Sequence, residues 1–177
     1  MEPGALTLIA GADTELFKEE EEDVEGPRLE LPVSGDFQVQ VKLRHEEGSG
    51  GQEACLGARS LEEGGAWLAM CRDGRSGGYD SYGEYKSWEG IRVWGHKEGE
   101  TERLTQTSYG DPDVYLKIVR QEFAVSFYYS SDGQEWWSLE EEYVFRLPPE
   151  VNLFVAVHSS RSEGFLARFW DFTLGGP

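Results

Sequence analysis

The side chains that could do chemistry are few and widely spaced along the 177 residues. Retaining glycoside hydrolysis needs two carboxyl groups about 5.5 Å apart, and alternate residues of a strand share one face. Glu98-Gly99-Glu100-Thr101-Glu102 is the run with that pattern. Gly99 falls where a turn between two strands is expected, so Glu98, Glu100 and Glu102 should splay around a hairpin tip. Asp171 is a further carboxylate to weigh. Cys55 and Cys71 lie in no recognisable nucleophile motif, and Ser159-Ser160 merely follows His158, so no catalytic residue is assigned. His45, His96 and His158 lack the short spacings of a zinc site and are expected at strand ends or on the surface. Asp73, Asp80, Asp111 and Asp113 supply hard oxygen ligands that could hold calcium. Asp111-Pro112-Asp113 and Asp73-Gly74 are equally turn chemistry, and no cofactor is expected.

Aromatic side chains give a stronger lead. If Val114, Leu116 and Ile118 point inward with Phe123, Val125, Phe127 and Tyr129, then Tyr115 and Tyr128 fall on the opposite face. A two-residue turn at Asp132-Gly133 would place Trp137 beside Tyr128 and send Trp136 into the core. Tyr115, Tyr128 and Trp137 would then form a row on which sugar rings could stack. Trp94 and His96 would extend that row, and Tyr82 and Tyr85 would stand at its rim. Against this stands a second apolar layer covered by the segment 73–90 or by another chain.

These side chains must be positioned by strands. Helical periodicity is nearly absent, whereas period-two runs recur between Gly, Asp, Ser and Pro clusters. Phe37-Gln38-Val39-Gln40-Val41-Lys42-Leu43 is the cleanest, with its apolar residues on one face. Strands are expected near 5–10, 28–33, 37–44, 53–59, 66–72, 91–97, 102–108, 114–120, 123–130, 136–145, 151–158 and 165–174. The segment 73–90 reads as a long Gly/Tyr/Ser loop. The pattern predicts one all-β antiparallel sandwich spanning 1–177. Its core should hold Phe37, Val39, Val41, Leu116, Ile118, Val125, Phe127, Trp136, Leu153, Val155 and Phe172.

Thirty-four acidic against 16 basic residues give a net charge of −18. Removing the acids of 19–23 leaves most of it, so the acidity is distributed. A polyanion such as nucleic acid needs a basic stripe, and anionic membranes need the same, so neither is an expected partner. The N-terminus lacks a secretion signal and no apolar run could span a bilayer, so a cytoplasmic protein is expected. Cys55 and Cys71 bracket a hairpin centred near Glu63, and are expected close together yet reduced.

The C-terminal third resembles the concanavalin A-like lectin/glucanase superfamily of jelly rolls, nearest to an uncharacterised bacterial family that also includes fungal regulator-of-enolase proteins. The residues that carry the likeness are Tyr115-Leu116-Lys117-Ile118-Val119-Arg120, Phe127 to Gly133 with Trp136, Val151 to Val157, and Phe169-Trp170-Asp171-Phe172-Thr173-Leu174. Gly35-Asp36-Phe37 and its strand also fit. The likeness is carried by about 114–174, is weaker over 28–72, and is lost over 73–110. It implies a jelly roll with a carbohydrate flavour and no fixed activity. The expected function is a non-catalytic module binding a carbohydrate or similar polyhydroxylated ligand on its concave sheet. The alternatives are a sugar-active hydrolase or isomerase using Glu98, Glu100 or Asp171, and an interaction domain, including a homo-oligomer.

Overall fold

The structure, a computed structural model, describes residues 4–12, 14, 26–45, 51–62, 65–79 and 85–177. Its strands are β1 (Leu6–Ala10), β2 (Arg28–Ser34), β3 (Phe37–His45), β4 (Gln52–Ser60), β5 (Trp67–Tyr79) and β6 (Tyr85–Lys97). They continue as β7 (Glu100–Ser108), β8 (Asp113–Gln121), β9 (Ala124–Ser130), β10 (Trp137–Val144), β11 (Glu150–Ser159) and β12 (Phe165–Gly175). Two six-stranded antiparallel sheets pack as a jelly-roll sandwich, in the orders β1-β12-β3-β8-β9-β10 and β2-β11-β4-β5-β6-β7. We call them the first and second sheet.

Alternation along each strand sends one set of side chains into the space between the sheets. Val39, Val41, Leu116, Ile118 and Phe127 from the first sheet meet Leu56, Leu68, Met70, Ile91 and Leu153 from the second in one buried cluster. On β3 the burial alternates strictly from Phe37 to His45, as its sequence predicts. Phe37, Val125 and Val155 are also buried as expected.

Trp136 and Phe172 are not in that core. Asp132 organises a wide turn in place of the two-residue one: its Oδ1 accepts the backbone N–H groups of Gln134 at 2.8 Å and Glu135 at 2.9 Å. The extra length pairs Trp137 with Tyr129, on the row of core-facing Leu116, and leaves Trp136 on the outer side against Tyr115. Phe172 lies in a bulge, where β12 carries one more residue than β3 between Trp170 and Thr173 and Asp171 has φ 54°. It is 43% exposed.

The hairpin between β8 and β9 turns at Glu122-Phe123, with Glu122 at φ 55° and Gln121 paired to Ala124. Leu116 therefore faces Tyr129 and Tyr115 faces Ser130, two residues away from the register expected from sequence, which set Leu116 opposite Phe127 and Tyr115 opposite Tyr128. An even shift keeps the residues within the two strands on their predicted faces. Phe123, expected inward, is 58% exposed at the turn. The segment 73–90 is not a loop in its arms: β5 runs on to Tyr79 and β6 begins at Tyr85, with Gly77 paired to Ser87.

Cys55 and Cys71 are direct partners across β4 and β5, Cα to Cα 4.0 Å. Proximity is as predicted, but the sulfurs are bonded, so the expected reduced pair is corrected to a disulfide.

Candidate functional site

The outer face of the second sheet follows directly from its registers. One row across the strands reads Asn152, Arg59, Trp67, His96, Thr101 and the next Phe154, Gly57, Ala69, Trp94, Arg103. Then come Ala156, Cys55, Cys71, Arg92, and finally His158, Glu53, Asp73, Gly90. The middle is apolar and buried: Phe154, Trp67, Ala69, Ala156 and the disulfide form a cluster on which Trp94 packs. A side chain at Gly57 would strike the Phe154 ring, whose Cζ would lie 2.3 Å from the added carbon, so glycine lets that ring lie flat on the sheet.

Charged groups are set into this apolar floor. Glu53 and Asp73 are buried direct partners, and Arg92 Nη1 stands 3.6 Å from Glu53 Oε1 and 2.8 Å from Asp73 Oδ2. Burial and the neighbouring Asp73 charge push the Glu53 carboxyl up to about 7, against the pull of Arg92 and Trp94. Burial raises Asp73 as well, opposed by Arg92. The His158 imidazole is pushed down to about 4 by burial alone. At the far side of the face, Glu30 accepts from Arg59 Nε at 2.8 Å and Asn152 Nδ2 at 2.7 Å and pairs with Arg28. Burial would raise Glu30, but Arg59 and Arg28 hold it below the usual carboxylate range.

Two buried nitrogens on this face are left over. Arg92 Nε and His96 Nε2 have no hydrogen-bond partner among the described residues. The Arg92 guanidinium lies 4.1 Å from the Trp88 ring centroid, and His96 stacks on Trp67 at 5.7 Å while its Nδ1 meets Thr101 Oγ1 at 2.8 Å. Buried polar groups are ordinarily paired, so unmet capacity beside half-exposed Trp88 and Trp94 marks a surface suited to a polar ligand.

The structure divides the aromatic row expected from sequence. Tyr115 and Tyr128 are on the outer face of the first sheet, Trp94 and His96 on that of the second, and Trp137 turns toward the core side of its edge strand. Tyr85 begins β6 opposite Tyr79, and Tyr82, like Asp80, lies outside the described residues. The three histidines lie at or next to strand ends, as expected, but not on the surface: His45 closes β3 and is buried with Nε2 2.8 Å from Gln52 O, His96 is buried near the end of β6, and His158 is half-buried near the end of β11.

Glu98 and Gly99 form the turn expected there, at φ 56° and 80°, so the acids beside them surround a hairpin tip. Asp171, in the bulge of β12, is 3.5 Å from the Tyr115 hydroxyl. The acids suggested for calcium do not converge among the described residues. Asp113 is clamped by Arg44 at 2.5 and 2.8 Å, Asp73 by Arg92, and Asp111 is exposed. Glu53 lies close to both cysteine sulfurs, but a disulfide offers no thiolate for a metal. Glu53, Asp73 and Arg92 were not foreseen as a unit. The signal was the odd polar residue in apolar strands, Glu53 beside Ala54-Cys55-Leu56 and Asp73 after Met70-Cys71.

No protein-family model matches the chain, and no curated protein does. Solved structures share its fold. A functionally unknown protein from Saccharomyces cerevisiae superposes over 100% of this chain and 90% of its own, with a TM-score of 0.74 and 17% identity. A GH43 protein from Bacillus licheniformis superposes over 98% of this chain with a TM-score of 0.67 and 15% identity, and a xylan β-1,4-xylosidase from Bacillus halodurans over 91%, with 0.63 and 13%. This chain spans only 33% and 31% of those two proteins. The fold is thus one that occurs within carbohydrate-active proteins.

Proposed function

We propose that the chain is a single-domain, concanavalin A-like carbohydrate-binding module whose ligand lies on the outer face of the second sheet. The carrying observation is the pair of buried polar atoms with unmet capacity along β6, Arg92 Nε between the half-exposed rings of Trp88 and Trp94, and His96 Nε2 two residues beyond Trp94. A sugar presents hydroxyls that donate and accept on its rim and C–H faces that stack on indoles, so it answers both features at once. Fold neighbours among xylan-active proteins support the same ligand class.

The test is a glycan array of neutral oligosaccharides followed by calorimetry on the best binder. Trp88→Ala, at a half-exposed ring stacked on Arg92, should weaken binding about tenfold, roughly 1.4 kcal/mol, with unchanged circular dichroism. Absence of any retained glycan, or full affinity in the variant, would overturn this reading.

A hydrolytic role is the second reading, favoured by the Glu53 and Asp73 carboxyls sharing Arg92. A carboxyl that holds its proton up to about 7 beside a second carboxyl is an arrangement found in paired catalytic acids. It requires release of reducing ends from the bound glycan, abolished by Glu53→Gln with binding intact.

A further inference from the structure

The outer face of the first sheet carries a second, chemically different surface. Trp170 on β12, Lys42 on β3 and Tyr115 on β8 are partners in one row across the strands, and Lys117 and Tyr128 are partners in the next. Trp136, displaced to this face by the Asp132 turn, closes the end of the array against Tyr115 at 6.5 Å. Each ammonium stands over two rings. Lys42 Nζ is 4.9 Å from the Trp170 centroid and 5.5 Å from that of Tyr115, and Lys117 Nζ is 3.8 Å from Trp136 and 4.9 Å from Tyr128. The Arg44 guanidinium is also 6.0 Å from the Trp170 ring centroid.

On a chain of net charge −18, this alternation of cations and rings stands apart. Asp113 neutralises part of it, ion-paired with Arg44 and 3.6 Å from Lys42. Lys117 has no carboxylate partner among the described residues, and burial lowers its ammonium below the ordinary lysine range. Cation–aromatic contacts occur roughly once per 70–80 residues, so an isolated one would be ordinary surface packing. Here they repeat across the face, with all four rings half-exposed. From β12 to β9 the array crosses three strand spacings, about 14 Å.

We propose that this face binds an acidic polysaccharide, a chain of uronate-type sugars whose carboxylates meet Lys42 and Lys117 and whose ring faces rest on Trp170, Tyr115, Trp136 and Tyr128. A neutral glycan would use the rings and leave the ammoniums idle, whereas a simple inorganic anion would leave the rings unused. The chain's own negative charge is no bar at contact range. At physiological salt the screening length is about 8 Å, which mutes distant carboxylates more than a directly paired ammonium. The site is independent of the neutral-glycan reading of the opposite sheet.

The probe is polygalacturonate, with neutral xylan as control, in affinity electrophoresis and calorimetry at 0.05 and 0.15 M salt. Wild-type protein should be retarded by polygalacturonate, less so at the higher salt, and should bind xylan at least tenfold more weakly on this face. Loss of one charge-assisted contact is worth roughly tenfold, so Lys117→Gln should weaken the acidic polymer about tenfold and Lys117→Arg should restore much of it. Trp136→Ala should weaken it similarly with the fold unchanged. Trp88→Ala, on the other sheet, should leave it untouched. The proposal is overturned if polygalacturonate is not bound, if xylan competes equally, or if Lys42→Gln with Lys117→Gln changes nothing. It is also overturned if sedimentation shows a dimer that those two substitutions dissociate, because the face would then be covered by an acidic surface of a second copy.

Discussion

Glu53 and Asp73 face one another across adjacent antiparallel strands, with Nη1 of Arg92 3.6 Å from one carboxylate and 2.8 Å from the other. One guanidinium cannot neutralise two buried carboxylates. Burial first, and then the neighbouring Asp73 charge, push the Glu53 carboxyl up to about 7, while Asp73 keeps the closer contact with Arg92.

Stability should therefore carry a Glu53 signature. Its folded value of about 7 lies above the ordinary 4.5, so between these values the folded state holds a proton that the unfolded state has lost. The stabilising contribution is complete below 4.5 and is lost as pH rises through 7, on the order of 3 kcal/mol. Glu53→Gln, a neutral shape mimic, should gain on wild type at pH 8 relative to pH 5 in urea unfolding. Parallel curves for the two proteins across that range would contradict the raised value.

His158, the direct partner of Glu53 on β11, works in the opposite sense. Burial lowers it from 6.5 to about 4, so stability is present above 6.5 and is lost as pH falls through 4. Between roughly pH 4.5 and 6.5 the Glu53 and His158 contributions oppose one another, so the wild-type stability profile should be flatter there than that of the His158→Gln variant. His158→Gln should expose the descending Glu53 slope, and Glu53→Gln the ascending His158 slope. Single variants that both stay flat would show that neither group titrates as described.

The disulfide closes a chain segment of sequence separation 16, for which loop-closure entropy predicts about 3 kcal/mol of stabilisation. Cys55→Ala with Cys71→Ala should lower stability by about that amount. Thiol titration of the unfolded, unreduced protein should find none. Stable disulfides persist mainly in oxidising compartments, so the thiol count also tests the cytoplasmic location expected from the sequence. Two titratable thiols in protein made without reductant would support that expectation.

Strand number, the sandwich class and most of the core were legible because alternation is a local signal. Phe37 to Leu43 and Val114 to Ile118 declare their inner faces in any register. Turns decided what was lost. Nothing in Ser130-Ser131-Asp132-Gly133-Gln134-Glu135 announces that Asp132 will gather two backbone N–H groups and widen the turn, yet that one carboxylate exchanges the faces of Trp136 and Trp137. The Glu53, Asp73 and Arg92 centre was hidden for another reason. Its members lie on β4, β5 and β6, and only the two hairpin registers bring them together.

Arg72 shows how far a charge can be drawn into this sandwich. It alternates with Leu68 and Met70 on the inner face of β5 and is 1% exposed. Its guanidinium donates to the backbone oxygens of Asp73, Gly90 and Asp111 and pairs with Glu89 Oε1 at 2.6 Å, while the Tyr109 ring centroid lies 5.7 Å away. These contacts tie the middle of the β5–β6 hairpin to the segment leading into β8. Arg72→Met would keep the volume and strand three carbonyl oxygens and a carboxylate, a change that ordinarily costs about 3–5 kcal/mol. Arg72→Lys should recover little, because an ammonium cannot span acceptors arranged for a planar fork. Hydrogen exchange locates the effect: amides of β5, β6 and the start of β8 should lose protection before those of β3 and β12. Uniform loss across both sheets, or a cost below about 1 kcal/mol for Arg72→Met, would contradict this role.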